Sequence, residues 1–168
     1  MHQTASSINK FSVICGITSF AICLISRILY DTPFGMLHVV KGVSLLPPVW
    51  LFNIISYIWF FLIGFAAGSL IDKTSRGMNS GNIQISAYRG GIFYIISFFL
   101  SIIRYHVFFI DQMLFLSLTL SAICMICALI CAVNWRGVIP ALSCFIMYCF
   151  TIWQFYLFFV SLSVFLNN

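Results

Sequence analysis

Pro47-Pro48-Val49-Trp50-Leu51-Phe52 opens a run that continues Asn53-Ile-Ile-Ser56-Tyr57-Ile-Trp59-Phe60-Phe-Leu-Ile-Gly64-Phe-Ala66-Ala67-Gly68 and carries no charge between Val49 and Ile71. About twenty apolar residues suffice for a helix to cross a ~30 Å hydrocarbon layer. The proline pair fixes φ and lacks two backbone donors, so it belongs at a helix entrance, where those N–H groups would go unpaired anyway. The first half of the run is a wall of aromatics. The second half is nearly smooth at Gly64, Ala66, Ala67 and Gly68, as close helix approach requires.

The rest of the 168-residue chain has the same character: 62% hydrophobic, 18% aromatic and 7% charged, with mean hydropathy +1.11. A soluble domain carries about a quarter charged residues, because something must cover its surface. This chain cannot cover itself and must face lipid. It is read as an all-α integral membrane bundle of five transmembrane helices, a single domain over 1–168, with spans near 11–30, 49–71, 86–104, 112–133 and 141–166. Lys10 precedes the first apolar core in the manner of a signal peptide, but Arg27-Ile-Leu-Tyr-Asp31 offers no small-residue cleavage pattern. A retained first helix is expected.

Between the spans, the apolar 31–48 connection is expected to fold back over the helix ends, and Asp72–Asn82 reads as a solvated loop. The net charge of +5 suggests headgroup contacts and helix orientation rather than nucleic acid. With five spans, Lys10, Lys73, Arg76, Arg89 and Arg136 fall on one side and Arg27, Lys41 and Arg104 on the other, which favours a cytoplasmic N-terminal side by a thin margin.

Few residues suggest chemistry. The acids are Asp31, Asp72 and Asp111, with no Glu, so hydrolysis by paired carboxylates is improbable. Cys124, Cys127 and Cys131 share one helix face. They are either the thiols of a membrane oxidoreductase or small apolar packing groups, and a mid-span position far from water favours packing. Arg104 faces a cavity, or it snorkels or pairs with nearby Asp111 at a span end. No metal-ligand spacing is found, and no catalytic residue is assigned. The midplanes read as apolar, which counts against a transporter.

Several stretches resemble the TspO/MBR family, the tryptophan-rich sensory or translocator proteins. That family's second helix reads P-P-x-W-x-F-x-x-V-W-x-x-L-Y-x-x-M-G-x-A-A; this chain has Pro47-Pro48-x-Trp50-x-Phe52, Phe60 at the tyrosine position, and Gly64-x-Ala66-Ala67. The third helix aligns without a gap over Tyr94-x-x-Ser97-Phe98-x-Leu100-Ser101-x-x-Arg104-x-x-x-Phe108-Phe109. The fifth fits Tyr156-x-x-Phe159, or a shifted register with Trp153 as the tryptophan. Ser56, Ser97, Ser101 and Arg104 replace a Trp, Gln, Asn and Trp of the family pattern.

The resemblance implies a divergent member that binds a planar hydrophobic molecule, porphyrin or haem-like or sterol, between its helices for sensing or transport. Trp50, Phe52, Asn53, Ser56, Tyr57, Phe60, Tyr94, Ser97, Ser101 and Trp153 are the expected ligand-binding residues. A porphyrin or haem would be a ligand rather than a resident cofactor. The partners are then the bilayer, the ligand and, through the Gly64, Ala67 and Gly68 face, either the chain's own helices or a second copy. The membrane implied is the mitochondrial outer membrane in a eukaryote and the cell membrane in a bacterium. A small transporter, or a thiol oxidoreductase using Cys124 and Cys127, is the alternative.

Overall fold

A computed structural model describes residues 10–29, 48–75, 81–109, 111 and 113–167, and these are almost wholly helical, with no strand among them. Five helices follow in order: α1 (Lys10–Leu29), α2 (Val49–Ser75), α3 (Gly81–Phe109), α4 (Leu114–Trp135) and α5 (Ala141–Asn167). All five are long and apolar enough to cross a bilayer. Only a helix satisfies every backbone donor and acceptor within its own span, so a chain this apolar has no other open choice short of a closed barrel.

The helix entrances follow the prolines. The Phe52 N–H donates to the Pro48 carbonyl at 3.0 Å and the Cys144 N–H to the Pro140 carbonyl at 2.9 Å, so each proline stands just ahead of the helix it opens. Between α4 and α5 the chain turns at Gly137, whose φ of +76° suits glycine and few other residues.

Two boundaries differ from the sequence reading. The described parts of the polar Asp72–Asn82 stretch are helical: α2 runs on to Ser75 and α3 starts at Gly81. At its other end α3 passes straight through Arg104-Tyr105-His106, expected to interrupt it. Arg104 is buried at 8% exposure, turned into the bundle, so its charge does not end the span. Neither snorkelling nor pairing with the exposed Asp111 describes it. The 31–48 connection, apart from Pro48, lies outside the described residues.

Neighbours run α1–α2–α5–α4–α3, and α2 meets α3 only along a short seam. Gly64 and Gly68 decide the first contact. A Cβ on Gly64 would meet the Ser19 side chain and the Cys15 carbonyl, and one on Gly68 would meet the backbone of Phe11 and Ser12. Both glycines therefore seat α1 on α2 within one chain. On α3, Gly90 leaves room for the Trp135 indole of α4, whose Nε1–H donates to the Ala87 carbonyl at 3.3 Å.

The bundle has an apolar outer surface around an apolar core that also holds many small polar groups. Ile28, Phe115, Leu142, Phe145 and Ile152 face outward, while Ser12, Ser56, Ser97, Ser101, Ser117, Ser121, Ser143, Thr151, Gln154 and Ser161 are buried. Five of the buried hydroxyls donate to the carbonyl four residues back on their own helix, as Ser56 does to Phe52 and Ser161 to Leu157. Small hydroxylated residues let helices approach closely where lipid supplies no hydrophobic drive for association.

Candidate functional site

The inward stripe of α2 is Phe52, Ser56 and Phe60, four residues apart and thus stacked on one face. Opposite it stand Ser101, Ile102, Arg104 and Tyr105 of α3, Phe150, Trp153 and Gln154 of α5, and Cys23, Ser26 and Arg27 of α1. Together with Trp59 they enclose one interior cavity at the end of the bundle where α1 finishes and α2 begins. The space open to water centres is about 20 Å³, room for roughly one molecule. Phe52, Arg104 and Tyr105 also border a smaller hollow, toward Phe108 and Leu157.

Two guanidiniums line the cavity and none of the described lining residues is acidic. Arg27 is buried, donates from Nη1 to the Asn53 Oδ1, and lies over two rings, 4.7 Å from the centre of Tyr57 and 4.0 Å from that of Tyr105. The Tyr105 hydroxyl donates to the same Asn53 oxygen at 3.1 Å. Ring faces and one amide oxygen offset part of the cost of taking a cation from water. The Arg104 Nε is buried with no hydrogen-bond partner.

The floor is polar as well. Gln154, at 2% exposure and halfway along α5, donates from Nε2 to the Ser101 Oγ at 3.3 Å, and its Oε1 is buried without a partner. Ser101 in turn donates to the Ser97 carbonyl at 2.8 Å and lies 3.1 Å from the Cys124 Sγ. The expectation of apolar midplanes is thus corrected: an amide, two serines and a thiol form a connected buried group there. The mouth holds donors, and the floor holds acceptors.

Of the ten residues expected from sequence, Phe52, Ser56, Phe60, Ser101 and Trp153 line the cavity. Asn53 and Tyr57 stand behind it as supports of Arg27. Tyr94 stacks on Trp135 at 5.6 Å, and Ser97 sits 3.4 Å from Cys124, so both belong to the α3–α4 contact instead. Trp50 is the clear miss. It is 58% exposed and faces outward, because two positions from Phe52 is a rotation of about 200° around the helix.

Arg27, Tyr105, Phe150 and Gln154 escaped the sequence reading. The one amide in the interior of α5, whose other polar residues are Ser, Thr and Tyr until the terminal Asn167, was the available signal for Gln154. Cys124, Cys127 and Cys131 are all buried and unbridged, and among the described residues no three His, Cys, Asp or Glu side chains gather as a metal-ligand set. Comparison with known protein families and with curated sequences finds no match for the chain.

Proposed function

We propose that the bundle is a TspO-like receptor for a flat, mainly apolar small molecule, a porphyrin-like or sterol-like ring system, held in this cavity. The observation that carries the reading is convergence. Phe52, Ser56 and Phe60 from α2, Ser101 from α3 and Trp153 from α5 were each expected at a pocket on pattern alone, and they meet around one space. Aromatic walls suit planar rings, which stack on them and bury large areas. The Trp153 register of α5 is the one compatible with this arrangement, since Phe159 faces outward.

A ring system is far larger than the closed cavity, so binding requires helices to part. The α2–α3 seam is short beside the α1–α2 and α2–α5 contacts that also border the site, and parting it would open the space to the bilayer. Transport is the second reading, favoured by Gln154: a buried amide with a free acceptor at mid-span is what a translocated polar group could use.

Titration of the purified protein in lipid nanodiscs with protoporphyrin IX and with a sterol tests the reading through tryptophan fluorescence. Trp59 and Trp153 border the cavity, so a bound ring quenches them. Phe60→Ala should weaken binding by ~1–3 kcal/mol, the usual loss for one stacked aromatic contact. No saturable quenching by either class would sink the proposal. Saturable quenching without uptake in proteoliposomes would leave a receptor and remove the transporter.

A further inference from the structure

We infer that Arg27 and Arg104 form an oxyanion site inside the membrane, one that takes the carboxylate or phosphate of an amphiphile. The inference rests on reading the cavity as a ligand site and names the polar end of that ligand. Two guanidiniums border one space, both more than nine-tenths buried, with no carboxylate among the described lining residues. A guanidinium has five N–H donors. At Arg27 one donor meets the Asn53 oxygen and the Cys23 sulfur stands within reach of another, while the Nε of Arg104 is left with none.

An uncompensated cation in a low-dielectric interior is costly, and ring faces return only part of that cost. A charge retained there is best explained by an anion that joins it. The planar fork of Arg matches a two-oxygen anion, which a lysine at the same place would meet only as a point charge. The sequence fits this division of labour: where the TspO pattern has an apolar Trp, this chain has Arg104, and it points inward.

Depth sets the kind of ligand. Arg104 stands five residues, about 7–8 Å, from the end of α3, and Arg27 two residues from the end of α1. An anion held there reaches just below the headgroup layer, while the remainder of the molecule would extend toward Phe60, Phe150 and Gln154. The three cavity serines donate to carbonyls of their own helices. Their oxygens, with Gln154 Oε1, are left as acceptors. The ligand so described is an amphiphile with an anionic end and, deeper, an N–H or O–H donor.

The test compares acid and ester forms of one probe, which share the ring system and differ chiefly in charge, with affinities corrected for partitioning into empty nanodiscs. Wild-type protein in phosphatidylcholine nanodiscs should bind protoporphyrin IX at least about tenfold more tightly than its dimethyl ester, the scale of one charge-assisted hydrogen bond. Arg104→Gln and Arg27→Gln should weaken the acid by about tenfold or more and leave the ester within about twofold. Arg104→Lys should restore part of the preference.

Equal binding of acid and ester, with both weakened alike by Arg104→Gln, would overturn the anion site and leave the aromatic pocket standing. Binding of neither porphyrin would instead defeat the planar-ligand reading. The anion site is then judged by a dansyl fatty acid against its methyl ester, at the same thresholds, and by native mass spectrometry. Retention of phosphatidylglycerol by the wild type, lost in Arg104→Gln, assigns the oxyanion to a bilayer lipid. An acid preference for the free probes assigns it to a free amphiphile. No acid preference and no retained lipid overturns the inference. So does a preference that arises only in Asp31→Asn, which would make the chain's own carboxylate the counterion.

Discussion

Two glycines make opposite predictions when changed to the same residue. Gly68 lies against α1, and a Cβ there would stand 2.5 Å from the Phe11 carbonyl oxygen and the Ser12 Cα. Ordinary contact begins near 3.4 Å, so α1 must retreat by about 0.9 Å. The obstructing atoms are backbone, which has no rotamer to yield. Overpacking of this kind costs about 1–3 kcal/mol, against a gain of up to about 1 kcal/mol when alanine replaces glycine within a helix. Gly68→Ala should therefore lose up to ~2 kcal/mol net. Gly91 of α3 has nothing within 4 Å of its would-be Cβ, so Gly91→Ala keeps the gain alone, ~0.5–1 kcal/mol. Unfolding in mixed micelles with rising dodecyl sulfate, followed by circular dichroism, measures both. If Gly68→Ala proves as stable as Gly91→Ala, α1 does not sit on α2 as described, and the α1 wall of the cavity goes with it.

Trp50→Ala should leave ligand affinity within about twofold, because Trp50 faces outward; Ser56→Trp, which fills a one-water space, should abolish binding while the protein remains monodisperse by size exclusion. A Cys124→Ala, Cys127→Ala double variant should keep ligand affinity and lose ~1–2 kcal/mol in the same micelle titration, whereas loss of a thiol-oxidising turnover would revive the oxidoreductase. Among the described residues, the exposed Lys and Arg side chains, Lys10, Lys73, Arg89 and Arg136, all lie at the end of the bundle where α1 begins. Reporter fusions should place that end in the cytoplasm and the far end of α5 across the membrane; both reporters on one side would rule out five spans.

The five spans were legible because composition alone forbids a soluble surface, and apolar runs of membrane length leave little freedom in where helices lie. Their ends were less so. Arg104 read as a terminator because a charge in an apolar run has two destinations, a headgroup or a partner inside, and only the neighbouring helices decide between them. The same ambiguity hid Arg27 and Gln154. Phe52, Ser56 and Phe60 were recoverable because a spacing of four fixes a common face whatever surrounds it. That rule, applied to Trp50, already placed it on the opposite side; the family pattern outweighed the geometry. Tyr94 and Ser97 failed for another reason: a third helix has two neighbours, and pattern does not say which one a given face meets.

The buried hydroxyls bear on how the protein is made. Ser56, Ser101, Ser121, Thr151 and Ser161 each donate to a carbonyl on their own helix, so each helix can leave the insertion machinery with these groups already satisfied. Nothing in them demands that a partner helix be present first. Gln154 and Ser117 lack such a partner on their own helix, and Arg27 and Arg104 differ most, entering lipid before the rings and amides that later surround them, at up to ~2.5–3.5 kcal/mol each on insertion scales and less near a helix end. Both stand close to the trailing ends of their helices, α1 and α3. Each charge can thus wait at the interface and be drawn inward as α2 and α5 arrive, so the cavity is the last part of the bundle to be completed.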